Sequence, residues 1–267
     1  MKITDTHCHL NFNIFENDLE ATLERARAKN VDRIIIPGTD LETSEKAIFL
    51  SEKYPALFAA VGIHPNDALK WENDTYEILH QYASHPKVVG IGEIGLDYYH
   101  DHAPHDIQKF VFLEQLRLAA DLELPVIIHS RQSFEDVWNI LEDWVDKLVK
   151  AGNNLLTRPG ILHSFEGSIE NALIVISKKF YIGIGGPVTY NNAIDQQKLV
   201  TEIPIEYLVL ETDSPFLTPH PYRGRRNEPA NILIIAEKIA QLKNLNISEV
   251  LQITESSTAA LFGWRAE

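Results

Sequence analysis

Short β-branched apolar runs recur eight times along this chain, with amphipathic segments between them. The runs lie at 3–6, 33–37, 57–63, 88–92, 126–129, 160–163, 181–184 and 207–211. Two of them, Ile34-Ile35-Ile36 and Val126-Ile127-Ile128, are apolar at successive positions, the pattern of a strand covered on both faces. Between the runs, Leu19, Leu23 and Ala26 share helical spacing, as do Phe112, Leu116 and Ala119–Ala120, and then Val137, Leu141 and Trp144. The last helices are expected over 230–242 and from about Ser248, with Gln252 supporting the start and Gly263 marking the stop. Strand–helix alternation implies a parallel sheet. Eight units in 267 residues match the size of a closed (β/α)8 TIM barrel, about 250 residues. An open doubly wound sheet is the rival, but no Gly-x-Gly-x-x-Gly follows the first strand, and Gly183-Ile184-Gly185-Gly186 comes late, ahead of Pro187. With no linker, repeat or low-complexity tract, one domain over 1–267 is expected; the segment 147–159 reads as a long surface loop.

Composition narrows the function. Twenty-four basic residues against 38 acidic ones give a net charge of −14. A protein that holds long duplex DNA by its backbone carries a basic face, and here there is no long basic run; the nearest are Arg223, Arg225 and Arg226, and the pair Lys178–Lys179. A polyanionic substrate must therefore be held locally, and bound metal ions are one means. No apolar run reaches the roughly 18 residues that span a bilayer, and residues 1–5 do not read as a secretory signal. The single cysteine, Cys8, allows no internal disulfide and fits a reducing cytoplasm.

Ionisable residues gather at the C-terminal ends of the expected strands, the active face of a barrel. In Asp5-Thr6-His7-Cys8-His9, alternation puts His7 and His9 on one face and Cys8 on the other, in the core. Glu93 follows a buried apolar run, where an unpaired carboxylate is costly and a bridge between two cations would satisfy it. Asp97 lies farther on and also reads as a turn or cap residue. His129 and His163 end the fifth and sixth strands, and Asp213 lies just past the eighth, with Glu211 two residues earlier. His7, His9, Glu93, His129, His163 and Asp213 thus converge as six metal-type donors. A single catalytic zinc takes about three protein ligands, so six suit a dinuclear site better.

These segments resemble a known family. Asp5-Thr6-His7-Cys8-His9, Gly62-Ile63-His64-Pro65, Gly92-Glu93-Ile94-Gly95-Leu96-Asp97-Tyr98, His129-Ser130-Arg131, His163-Ser164-Phe165, Leu210-Glu211-Thr212-Asp213-Ser214-Pro215 and Arg223-Gly224-Arg225-Arg226-Asn227-Glu228-Pro229 are similar in order and spacing to the motifs of TatD-type metal-dependent deoxyribonucleases. The resemblance runs from about residue 2 to 264 and places the chain among amidohydrolase-like barrels. It implies a TIM barrel, a two-metal site on those six residues with Glu93 as bridge, and phosphodiester hydrolysis of DNA, often 3′–5′ on single strands.

On this reading Asp213 orients and deprotonates the attacking water. His64 lies near the substrate phosphate, or is only a strand-end histidine bonded to backbone. Arg131 forks onto a phosphate or a ligand carboxylate. Arg223, in the loop after the eighth strand, is the best of the late arginines for the DNA backbone, while Arg225 and Arg226 pair with acids such as Glu228. Tyr98 and Tyr99 are candidate base-stacking groups or packed loop aromatics. His100, His102 and His105 read as a solvated loop near the substrate; His80, His85 and His220 read as surface or structural. Four histidines favour Zn²⁺ or Mn²⁺, whereas the family implies Mg²⁺. The expected protein is a cytoplasmic monomer with single-stranded DNA or 3′ ends as substrate. Two alternatives stay open: a barrel hydrolase of a small-molecule ester or amide, which the −14 charge favours, and a non-catalytic metal-binding scaffold, which should have lost a ligand.

Overall fold

The computed structural model describes residues 2–100 and 102–264. Its strands and α-helices alternate as the hydrophobic pattern requires: β1 (Ile3–Asp5), α1 (Leu19–Ala28), β2 (Val31–Pro37), α2 (Leu41–Lys53), β3 (Leu57–Val61), α3 (Thr75–Ala83), β4 (Val88–Asp97), α4 (His105–Leu122), β5 (Val126–Arg131), α5 (Phe134–Ala151), β6 (Gly160–Leu162), α6 (Ile169–Ser177), β7 (Tyr181–Ile184), α7 (Ile194–Glu202), β8 (Leu208–Leu210), α8 (Ile232–Lys243) and α9 (Ile247–Phe262). The eight strands form one sheet in chain order. The pairs β1–β2, β3–β4, β4–β5, β5–β6 and β7–β8 are parallel. Past the strand ends, Thr6 N donates to Leu210 O at 3.0 Å and Cys8 pairs in parallel with Ser214, so the last strand returns to the first. This is the (β/α)8 barrel that the alternation implies.

The described residues fall into two compact units, one drawn from 2–36, 164–177 and 181–264, the other from 37–100, 102–163 and 178–180. In the first, Ile34, Ile35, Ile36, Ile182, Ile184 and Val209 are buried with Ile232, Ile235 and Ile239 of α8. In the second, Ile91, Ile94, Ile127 and Ile128 are buried with Phe112 and Leu116 of α4 and Leu141 and Trp144 of α5. Continuous apolar strands are therefore covered by helix stripes.

Several local expectations need correction. Glu93 and Asp97 do not follow β4 but lie within it, because the strand runs on to Asp97. Residues 147–151 are the last turns of α5, where Leu148 is buried, and Gly152 at φ 64° ends the helix; a one-turn 3-10 helix at Asn154–Thr157 then buries Leu155. His105 opens α4 rather than lying in a loop. The start of α9 is set by Asn246 and Glu249, a reciprocal capping box, instead of Ser248 and Gln252. Gly263, at φ 67°, ends α9 as expected.

Two glutamines of α4 fix the strand ends beside the site. Gln115 Oε1 accepts Ile63 N–H at 2.7 Å, and its Nε2 donates to Ile63 O at 3.0 Å. Gln108 does the same for Asp97, accepting its N–H at 2.8 Å and donating to its carbonyl at 3.0 Å. Both side chains are buried. Each satisfies a strand-end residue inside the protein, where an unpaired backbone group is costly.

Candidate functional site

In the first unit, His7 and His9 do point the same way. Their Nε2 atoms are 3.1 Å apart, and Asp213 Oδ1 lies 3.8 Å from one and 3.5 Å from the other. Cys8 between them is fully buried, as expected. Asp213 is placed by its N–H, which donates to His7 O at 2.8 Å, and by a left-handed backbone at φ 54°. Beneath this group, Asp5 accepts the backbone N–H of Thr212 at 2.9 Å, its hydroxyl at 2.6 Å and the N–H of His7 at 3.3 Å. One buried carboxylate thus ties the chain before His7 to the chain before Asp213. Glu211 is also buried, and its Oε1 accepts Ser164 N–H at 2.6 Å.

In the second unit, three imidazoles surround one oxygen. Glu93 Oε1 lies 2.8 Å from His129 Nδ1, 3.2 Å from His163 Nε2 and 3.5 Å from His64 Nε2. The close approach of β4 to β5 depends on glycine: at Gly95, φ 141°, an added Cβ would lie 2.0 Å from His129 O, and at Gly92 it would lie 2.6 Å from Ile127 Cβ. The register Gly95↔His129 and Asp97↔Arg131 brings the end of β5 beside that of β4.

Two of these histidines differ in what their protons allow. His64 Nδ1 accepts Asn66 N–H at 3.1 Å, at the start of a short 3-10 helix over Pro65–Lys70. Burial, then the neighbouring His129, pushes its pKa down, so the ring is neutral. A neutral imidazole whose Nδ1 accepts carries its proton on Nε2. That nitrogen faces Glu93 Oε1 at 3.5 Å. His129 is opposite: burial disfavours its charge, but bonds to Asp97 and Glu93 outweigh that and hold its pKa above the ordinary value.

Donor chemistry and spacing fit divalent cations. One ligand atom from each of His7, His9 and Asp213 falls within 4.8 Å of the others, and the same holds for His64, Glu93 and His129. Three ring nitrogens crowding one carboxylate oxygen, and two facing ring nitrogens near another, are arrangements that a cation stabilises and that neutral hydrogen bonding satisfies poorly.

Arg131 lies over the Tyr99 ring at 4.6 Å, and Arg223 over Tyr190 at 4.1 Å, exposed. Arg226 pairs with Asp18 at 2.6 Å rather than Glu228, which instead takes Arg25 at 2.7 Å; Arg225 lies over Tyr222. Tyr98 stacks on His105 and donates to Asp136, so it is a packed loop aromatic, while Tyr99 is 56% exposed. His100 Nδ1 is 3.0 Å from Asp97 Oδ2. His85 pairs with Glu52, and His220 is exposed. The sequence reading missed Asp5, Gln108 and Gln115. The two glutamines were detectable in principle, since a polar amide seven residues from another on an apolar helix stripe calls for a buried partner.

A model of the family described as TatD related DNase matches residues 4–263. The uncharacterized metal-dependent hydrolase YabD of Bacillus subtilis is 43% identical over 97% of this chain and 98% of that protein. The 3′-5′ ssDNA/RNA exonuclease TatD of Escherichia coli is 34% identical over 97% of this chain and 98% of that protein. The crystal structure of YjjV, a TatD homologue from Escherichia coli, superposes with a TM-score of 0.90 at 33% identity, covering 98% of both chains. A barrel of this topology, with motifs matched in order from end to end, belongs to the TatD-related DNase family.

Proposed function

We propose that this chain is a two-metal phosphodiesterase that removes nucleotides from the 3′ ends of single-stranded DNA. The observation that carries the reading is Glu93 Oε1, buried and faced at 2.8–3.5 Å by three histidines. The ligands would be His7, His9, Glu93, His129, His163 and Asp213, with Glu93 as the bridge. Two bound divalent cations, Zn²⁺, Mn²⁺ or Mg²⁺, would acidify a water and offset charge on the phosphate.

The side chains supply the rest. Asp213 orients the attacking water and accepts its proton. The Nε2–H of His64 donates to a phosphate oxygen as negative charge grows there. Arg131 and Arg223 contact flanking phosphates, each braced against a tyrosine ring. This local hold answers the net charge of −14, which offers no broad surface for duplex DNA. The protein acts as one domain and as a cytoplasmic monomer, with its one cysteine buried and free. Among the described residues no helix is long and apolar enough to cross a membrane.

The test is hydrolysis of end-labelled single-stranded DNA by chelated protein resupplied with Mg²⁺, Mn²⁺ or Zn²⁺, beside an RNA strand and a panel of small esters and amides. A ladder shortening from the 3′ end, lost in Glu93→Ala, supports the reading. No cleavage by protein shown to hold metal, with turnover of a small ester or amide, overturns it.

A further inference from the structure

Asp97 lies at the end of β4, and its two oxygens do different work. Oδ1 accepts the backbone N–H groups of Tyr99 at 3.0 Å and His100 at 2.9 Å, which caps the turn after the strand. Oδ2 faces His129 Nε2 at 3.1 Å, His100 Nδ1 at 3.0 Å and Asn66 Nδ2 at 3.3 Å. The carboxylate is itself held still: it is 1% exposed, and Gln108 brackets its backbone.

We propose that Asp97 is the positioning residue for His129: Oδ2 takes the Nε2 proton and so leaves the Nδ1 lone pair directed at Glu93 and the cation beside it. This rests on the metal reading above. An imidazole can give a lone pair to a cation from only one nitrogen, and the other then carries the proton. His129 has a carboxylate at each nitrogen, 2.8 Å at Nδ1 and 3.1 Å at Nε2. Glu93 is reserved as a ligand, so Asp97 is the carboxylate left to fix ring and tautomer. A carboxylate behind a ligating histidine raises its basicity and sets its orientation, and its loss costs about 10–100-fold in metal affinity.

Asp97→Asn separates this role from the turn cap. With Oδ1 kept on the N–H groups of Tyr99 and His100, the new amide presents N–H to His129 Nε2. That nitrogen loses its acceptor, and the ring is biased toward carrying its proton on Nδ1, the form a cation cannot use. Titration of metal-free protein with Zn²⁺, followed by calorimetry, should show one class of site weakened 10–100-fold in Asp97→Asn, with the melting temperature of the metal-free protein little changed. In zinc-loaded wild type, nitrogen-15 spectra should show His129 protonated on Nε2 and metal-bound through Nδ1. This second readout holds even where the variant fails to fold. Equal Zn²⁺ affinity in wild type and Asp97→Asn, or His129 bound through Nε2, overturns the proposal and leaves the two-metal reading standing. Wild type that takes up no metal overturns both.

Discussion

Replacing Gln115 with leucine tests whether α4 builds the site. The change keeps the volume nearly constant but removes the amide that pairs with both the N–H and the carbonyl of Ile63, at 2.7 and 3.0 Å. Ile63 is 1% exposed, so water cannot replace those bonds. Each buried polar group left unpaired costs about 1–3 kcal/mol, or roughly 2–6 kcal/mol for two. Leucine regains part of this, since an amide no longer needs to be desolvated, and the net expectation is about 2–4 kcal/mol. At about 2–4 °C per kcal/mol for a chain of this size, the melting temperature should fall by roughly 4–16 °C. His64 follows Ile63 directly, so its donor should be misplaced as well and kcat should drop roughly tenfold or more. Calorimetry and steady-state hydrolysis read the two effects. A variant that melts within about a degree of wild type and turns over normally refutes the bracketing argument.

Three further outcomes follow from named contacts. Asp18 is held down to about 2, chiefly by its bond from Arg226 and then by Arg25. A carboxyl lowered on folding stabilises above its ordinary value of 3.8 and loses that contribution as pH falls through about 2. Asp18→Asn should therefore flatten the melting curve against pH across that window, yet cost at most about 1 kcal/mol near neutrality because the pair is partly exposed; an unchanged acid slope contradicts it. Gly183→Ala would place a Cβ 2.3 Å from Glu211 Oε2. It should push aside the carboxylate that holds Ser164 N–H and cost about 1–3 kcal/mol, measured by denaturant unfolding. Asp213→Asn should leave the unfolding transition in place while lowering kcat by about 10²–10⁴-fold; near-normal turnover would remove the general-base role.

The barrel was legible because its strands are apolar at successive positions, as in Val126–Ile128, and its helices carry a single stripe, as in Val137, Leu141 and Trp144. Alternation likewise put His7 and His9 on one face and Cys8 in the core, since a period of two is fixed by the backbone. Strand ends were harder. Glu93 and Asp97 look like loop residues because they are charged, but β4 continues through them, with Gly92 and Gly95 allowing the close approach of β5. Ion-pair partners were illegible for a different reason: Arg226 meets Asp18, which lies 208 positions away, and no local spacing encodes such a contact. The roles of Asp5, Asp97, Gln108 and Gln115 lie in what their second oxygen or amide touches, and composition does not carry that.

The central claim is that hydrolysis runs on two cations held by six side chains. Its most direct test is native mass spectrometry of metal-reconstituted protein, with hydrolysis of single-stranded DNA measured on the same samples as metal is added. The account predicts two ions per chain at saturation, turnover that follows occupancy of the pair, and loss of both in Glu93→Ala. Full turnover with one ion or none, or two tightly held ions in Glu93→Ala, would contradict it.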